Sequence, residues 1–170
     1  GIVMGDYPDT YEDILKGMLI NPPLTININT TKISVGDYMS ALDNAGVKYI
    51  TTALPNCLEI SSGGAVTELP GFAEGHFFVQ GITSRYAIDA LGVKTGYNIL
   101  DLCAAPGGKT FAAAIYLNNT GTIVSCDPNP SRLVLIENGA KRLSIKNLTT
   151  KLRDACDSEN TLPMADRVLC

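Results

Sequence analysis

Between residues 98 and 153 the chain alternates apolar runs with helical patterns, and this alternation constrains its fold more than any other feature. The runs predict buried strands over 98–103, 122–127 and 148–153. A helix is expected over 108–117, and a second opens with Asn129 as N-cap. Apolar strands joined by helices form a parallel sheet that is covered on both sides. The sequence therefore predicts the α/β class, with a fourth strand beginning at residue 167.

The first half of the chain has a different pattern. A helix is predicted over 7–19, followed by the alternating strand LTININ over 24–29, which indicates a half-buried strand. A helix capped by Ser34 and two short strands follow, so the order β-α-β-β predicts a compact α+β module. We divide the chain into an N-terminal helical segment (1–20), the α+β module (21–74) and the α/β domain (75–170).

The loop after the first strand of the α/β domain reads DLCAAPGGKT over 101–110. A P-loop needs G-x-x-x-x-G-K-[ST], but the position five residues before Gly108 is Cys103, so a nucleoside triphosphatase is disfavoured. The dinucleotide fingerprint G-x-G-x-x-G is also missing. Small residues over 104–108 would let a ligand lie directly on the backbone at the carboxyl end of this strand. A purely structural tight turn is the alternative.

Two acids follow the next two predicted strands. Asp127 ends the second strand, 26 positions after Asp101, where a carboxylate can accept hydrogen bonds from ribose hydroxyls. Asp154 follows the third strand and could accept from an adenine amino group. The alternatives are a helix-start acid for Asp127 and an ordinary loop acid for Asp154. Together these residues predict an adenosine-bearing ligand without a pyrophosphate cradle, which describes S-adenosylmethionine, with its amino-acid end held by the loop over 104–108.

Composition excludes several classes of protein. No apolar run approaches the ~18 residues of a membrane span, and no signal peptide is visible. Five cysteines without C-x-x-C spacing and a single histidine, His76, predict no metal site and a reducing cytoplasm. Cys103 and Cys126 lie in apolar runs and are expected to be buried, and His76 is expected to be structural.

Charge is less informative about partners. The net charge of -4 does not indicate nucleic-acid binding, yet basic residues gather in the second half of the chain. The cluster comprises Lys141, Arg142, Lys146, Lys151 and Arg153. It is either a solvated surface or a patch that faces RNA.

The motifs together resemble the Sun (Fmu) family of RNA cytosine-C5 methyltransferases. ILDLCAAPGGKT resembles the family's S-adenosylmethionine-binding motif, SCDPNPSRL its second motif and LRDACD its third. LPGFAEGHFFVQGITS is similar to the segment that joins the RNA-binding module to the catalytic domain, and NPPLTININT to the start of that module. The resemblance covers nearly the whole chain.

The resemblance implies a Rossmann-like S-adenosylmethionine-dependent methyltransferase fold, present as the N-terminal half of its parallel sheet, behind a small RNA-recognition module. It implies a cytoplasmic enzyme that acts on rRNA or tRNA, with no metal and no membrane contact. The implied cofactor-binding residues are Cys103, Ala104, Ala105, Pro106, Gly107, Gly108, Lys109, Asp127, Arg132 and Asp154.

Two departures from the family pattern shape the remaining expectations. Asn27 replaces the arginine usual in the module's first strand, which removes a phosphate contact. The family's two catalytic cysteines, one of which adds to C6 of the cytosine, lie beyond Cys170. We therefore expect this chain to be a fragment that cannot turn over and that self-associates or is marginally stable, because its sheet edge is open.

Two other functions stay open at this point. A non-catalytic RNA- or cofactor-binding protein that naturally ends at Cys170 is the first alternative. A nicotinamide-dependent oxidoreductase would need the missing glycine fingerprint.

Overall fold

The computed structural model describes residues 2–19, 22–62, 64–158 and 162–170. Two helices open the chain, α1 (Ile2–Asp6) and α2 (Tyr11–Met18), and neither has a buried residue. Helix α2 lies within the helix predicted over 7–19. Residues 1, 20, 21 and 63, which belong to the two segments predicted over 1–20 and 21–74, fall outside the described residues.

An antiparallel sheet forms the first folded unit. Its elements are β1 (Leu24–Ile28), α3 (Val35–Asn44), β2 (Lys48–Thr51), β3 (Cys57–Ser62), a 3₁₀ turn (Val66–Glu68) and β4 (Phe77–Val79). The strands lie in the order β2-β3-β1-β4. Ser34 caps α3 as predicted, because its hydroxyl accepts from the Asp37 N–H at 3.1 Å. The predicted β-α-β-β order is therefore present, with one further strand.

Residues 24–28 form the predicted strand, but the prediction that this strand is half-buried is wrong. Ile26 and Ile28 pack in the core beneath α3, while Thr25 and Asn27 on the opposite face are also buried. Strand β1 is a central strand, and on its second face the Asn27 amide donates to the carbonyl of Gln80, which comes just before α4. Asn27 is 1% exposed, so its own side chain lies in the interior.

Strand β4 links the two units. We placed residues 75–80 in the α/β domain, and β4 pairs with β1, with Phe78 opposite Asn27. The Phe78 ring then packs against Phe111 of the α/β unit with ring centroids 5.9 Å apart. The division of the chain after residue 74 stays an interpretation.

The second unit is a parallel sheet with helices, as predicted. Its elements are α4 (Ile82–Leu91), β5 (Asn98–Asp101), α5 (Gly108–Leu117), β6 (Thr122–Asp127), α6 (Pro130–Leu143), β7 (Leu148–Leu152) and β8 (Arg167–Leu169). The strand order is β7-β6-β5-β8, with every pairing parallel. Residues 112–114 of α5 are buried alanines, whose small side chains let the helix lie close to the sheet.

Main-chain oxygens of one unit accept hydrogen bonds from side chains of the other. The Asn29 amide donates to Leu143 O of the second unit at 2.9 Å, and also to Gly75 O just before β4 at 3.0 Å. The Arg142 guanidinium donates to Phe72 O at 2.7 Å and to Phe77 O at 3.0 Å. Arg142 is therefore a structural residue of the junction, although the sequence grouped it with a solvent-exposed or RNA-facing cluster.

His76 lies in the same junction. Its ring meets Tyr38 edge to face, and its main-chain oxygen accepts from the Asn29 N–H at 2.7 Å. These contacts agree with the structural role expected of it. Within the part of the chain that the structure describes, no helix is long and apolar enough to cross a membrane.

Candidate functional site

The loop over 102–107 connects β5 to α5 at the carboxyl end of the parallel sheet. The Ala104 N–H donates to Cys126 O on β6 at 2.9 Å, and the Gly107 N–H donates to Ala104 O at 2.8 Å. Gly107 has φ +111°, and a Cβ there would lie 2.5 Å from the Phe111 ring. The loop conformation therefore requires glycine at residue 107.

Asp101 is the last residue of β5 and directly precedes this loop. It is fully buried, and its Oδ2 accepts from the Thr110 hydroxyl at 2.7 Å, which in turn lies 3.1 Å from the Ser125 hydroxyl. Burial raises the pKa of the Asp101 carboxyl, against the opposing influence of Thr110 and Lys109. Asp101 was not among the predicted site residues.

Asp127 ends β6 and is 2% exposed. Its Oδ1 accepts from the Asn129 N–H at 2.9 Å, which is the helix-start contact considered as its alternative role. Its Oδ2 lies 3.3 Å from Arg132 Nη1, while Arg132 Nη2 donates to Ala105 O at 2.8 Å. Arg132 thus connects Asp127 to the glycine loop, so the loop, the acid and the arginine meet at one place.

Asp154 lies in the loop after β7. It is exposed, and its Oδ1 accepts from the Cys156 N–H at 2.9 Å. The preceding residue, Arg153, donates its N–H to Asp127 O at 3.2 Å, which brings the two loops together. The carboxylate of Asp154 thus stabilises its own turn, and a contact with adenine stays a prediction.

The prediction that Cys103 is buried is wrong. Strand β5 ends at Asp101, two residues earlier than predicted, and the Cys103 side chain is exposed in the loop. Cys126 is buried as predicted, and burial raises the pKa of its thiol. No group of three or more metal-ligating side chains occurs in the described ranges.

A pocket of about 190 Å³ adjoins the loop on the side of α4. Its walls are Val79, Gln80, Gly81, Ser84, Ala104, Ala105, Pro106, Gly108 and Lys109. Four of these residues, Val79, Gln80, Gly81 and Ser84, come from the end of β4 and the start of α4. From the sequence, this segment was expected only to join the two parts of the chain. A polar Gln80 directly after the apolar run FFV was the one available signal.

The basic cluster predicted from the sequence is divided in the structure. Arg142 points into the junction, as described above, whereas Lys141 and Lys146 are exposed on the surface. Arg153 donates to Asp157 O at 2.7 Å. The five residues therefore do not form one uniform patch.

Comparison with known proteins gives two family matches. The model described as 16S rRNA methyltransferase RsmB/F matches residues 88–170. The model described as the ferredoxin-like domain of RsmF/B-like methyltransferases matches residues 3–67.

A curated relative extends the likeness over almost the whole chain. Probable ribosomal RNA small subunit methyltransferase B of Coxiella burnetii is 32% identical over 169 residues, covering 96% of this chain and 39% of the relative. The chain therefore spans about two fifths of the length of this relative.

Solved structures agree on the fold. The crystal structure of PH0851 has a TM-score of 0.81 at 30% identity and covers 90% of this chain and 35% of that one. NSun6 from Pyrococcus horikoshii with SFG has a TM-score of 0.88 at 20% identity, covering 99% of this chain and 68% of that one, and bears on the fold alone. The predicted α/β methyltransferase fold behind a small α+β module is thus confirmed.

Proposed function

This chain belongs to the RsmB/F family of 16S rRNA methyltransferases, and on that premise we propose that it is the RNA-recognition and cofactor-binding part of an RNA methyltransferase. The proposed reaction of the whole protein is methyl transfer from S-adenosylmethionine to C5 of a cytosine in rRNA or tRNA. The proposed location is the cytoplasm.

The arrangement of Asp127, Arg132 and the glycine loop carries this proposal. Asp127 is almost completely buried at the end of β6, and its Oδ2 lies 3.3 Å from Arg132 Nη1. A carboxylate oxygen has two lone pairs, so Oδ2 keeps the capacity to accept a further hydrogen bond. Ala104 and Ala105 have small side chains and line the pocket beside the loop, so a ligand in that pocket lies close to the loop backbone. These features suit an adenosine group whose ribose lies against Asp127.

Each residue then has a defined task in binding. Asp127 accepts hydrogen bonds from the two ribose hydroxyls, and Arg132 holds the loop and the acid at a constant separation. Asp154 accepts from the adenine amino group, and the loop from Cys103 to Lys109 supports the amino-acid end. When bound, the cofactor supplies the methyl group as an activated sulfonium.

We propose that the thiol chemistry of the whole protein is carried by the family's two cysteines. By resemblance, the nucleophilic cysteine and the cysteine that assists product release lie beyond Cys170. Cys103 is exposed but corresponds to the cofactor-loop position of the family, so we assign it to binding. We propose that residues 1–170 bind cofactor and RNA without completing the reaction.

Calorimetric titration with S-adenosylhomocysteine tests the cofactor site. We compare the chain with Asp127→Asn, which keeps an acceptor for the Asn129 N–H, and with Asp43→Asn on the distant helix α3 as control. We expect saturable binding that weakens about tenfold or more in Asp127→Asn, because hydrogen bonds to charged groups contribute most. Equal affinity in all three proteins, or no binding to any of them, would overturn the proposal.

A further inference from the structure

Gln80 has a buried amide without a protein partner. The residue is 7% exposed, and neither Oε1 nor Nε2 hydrogen bonds to any residue that the structure describes. Its main chain, by contrast, is held firmly: its N–H donates to Thr25 O at 3.1 Å, and its carbonyl accepts from the Asn27 amide at 3.1 Å. A buried amide that lacks both partners is costly, so a ligand is expected to satisfy it.

The Gln80 amide lies in the pocket beside the glycine loop, against the start of α5. A Cβ placed on Gly108 would be 3.5 Å from Gln80 Nε2, so the amide packs on the Gly108 backbone. The first N–H groups of a helix have no partner within the helix, and Gly107, the N-cap of the ten-residue α5, provides no side-chain cap. Lys109 lines the same pocket.

The pocket contains groups that attract an anion and one amide oxygen that can accept a hydrogen bond. The start of α5 and the Lys109 ammonium favour a negative group. The Gln80 amide offers a donor and, beside it, an acceptor that suits an ammonium. A carboxylate and an ammonium on one carbon, as in an α-amino acid, match this set of groups.

The pocket is placed to receive one end of the ligand proposed above. Ala104 and Ala105 line it, and Ala105 O also accepts from Arg132, the partner of Asp127. The loop thus has the ribose-binding acid on one side and the pocket on the other. Resting on the proposed function, we infer that Gln80 is a cofactor-binding residue that recognises the carboxylate and ammonium of the methionine part of S-adenosylmethionine.

The antiparallel sheet then takes part in cofactor binding. Gln80 follows β4, and its backbone is held by Thr25 and Asn27 of β1, so the antiparallel module sets the position of the amide. The cofactor site is then composite, with residues from both units.

Two ligands separate the amino-acid end from the adenosine. S-adenosylhomocysteine carries the α-amino acid, whereas 5′-methylthioadenosine lacks it. We titrate both into the chain, Gln80→Leu and the length-matched Gln80→Met. Tyr38→Phe is the control for a buried polar change outside the pocket, since it removes the hydroxyl that donates to Pro70 O at 3.1 Å. Thermal unfolding of each variant verifies that it is folded.

We expect the Kd for S-adenosylhomocysteine to rise about 10- to 100-fold in both Gln80 variants, since each loses hydrogen bonds to charged groups. The Kd for 5′-methylthioadenosine should stay unchanged, and Tyr38→Phe should bind both ligands as the unmodified chain does. Should Gln80→Leu fail to fold, the same comparison rests on Gln80→Met.

Other outcomes have distinct meanings. Unchanged S-adenosylhomocysteine affinity, or an equal loss for both ligands, overturns the role of Gln80 and leaves the proposed function standing. Reduced RNA binding with unchanged S-adenosylhomocysteine affinity assigns the amide to a nucleobase and also overturns the inference. Failure of the unmodified chain to bind either ligand overturns the proposed function and the inference together.

Discussion

The side-chain amide of Asn27 donates to the main-chain oxygen of Gln80 at 3.1 Å, deep between the two units of the molecule. The same side chain accepts from the Cys57 thiol at 2.9 Å. Asn27 therefore connects the centre of the antiparallel sheet to the residue that enters the pocket beside the glycine loop.

Replacing Asn27 with valine should lower the free energy of unfolding by about 2 kcal/mol, because the Gln80 carbonyl and the Cys57 thiol lose their partner in a buried place. Urea unfolding measures this loss. Thr25→Val is the control on the same face of β1, since the Thr25 hydroxyl donates only a long hydrogen bond of 3.4 Å to Pro23 O. Similar losses in the two variants would contradict the importance of the Asn27 bonds.

Gly75 marks a close approach between the two units. It has φ +72°, and a Cβ there would overlap the main-chain oxygen of Arg142 on α6. We expect Gly75→Ala to lower the free energy of unfolding by about 3 kcal/mol, from left-handed strain and from the overlap. Urea unfolding again provides the measurement.

Gly92 supplies the control for this substitution. It has φ +64° with open space around a Cβ, so Gly92→Ala carries the left-handed strain alone, about 1 kcal/mol. If the two alanine variants were equally stable, the contact between Gly75 and Arg142 would not restrict the junction.

The Cys57 thiol should make stability depend on pH in the alkaline range. Burial raises its pKa from 9.0 to about 11, so the folded chain keeps the proton after the unfolded chain has released it. The free energy of unfolding should therefore fall by about 2 kcal/mol more between pH 9 and pH 11 than it does in Cys57→Ala. Cys156→Ala, at an exposed thiol, should retain the full decline.

Thiol reactivity tests the corrected position of Cys103. Three cysteines are exposed, Cys103, Cys156 and Cys170, and two are buried, Cys57 and Cys126. Under native conditions a chromogenic disulfide reagent should modify three thiols quickly, and all five after unfolding. In Cys103→Ser, only two thiols should be modified quickly. If three thiols still reacted quickly, Cys103 would not be exposed.

Sequence patterns located the elements of the α/β unit closely, because buried strands and capped helices are specified by local residues. Helix α5 and strand β6 have the predicted bounds. The glycine loop and Asp127 were recognised for the same reason: small residues and an acid occur at the ends of consecutive strands.

The predictions were wrong where the burial of a side chain depended on residues far away in the sequence. The alternation in β1 indicated a solvated face, but Asn27 on that face is buried and donates to the Gln80 carbonyl. Arg142 belonged to a basic run along the chain, yet its guanidinium binds carbonyls about 70 residues earlier. Such contacts have no trace in a local pattern.

The sequence by itself determined the order of strands and helices, the parallel sheet and the loop at its carboxyl edge, since these follow from periodicity and from the conformational limits of glycine and proline. Only the tertiary structure decided that β4 joins the first sheet and brings the amide of Gln80 to the Gly108 backbone. That outcome depends on how two sheets pack, because the cost of an unpartnered buried amide exists only once both surfaces have excluded water.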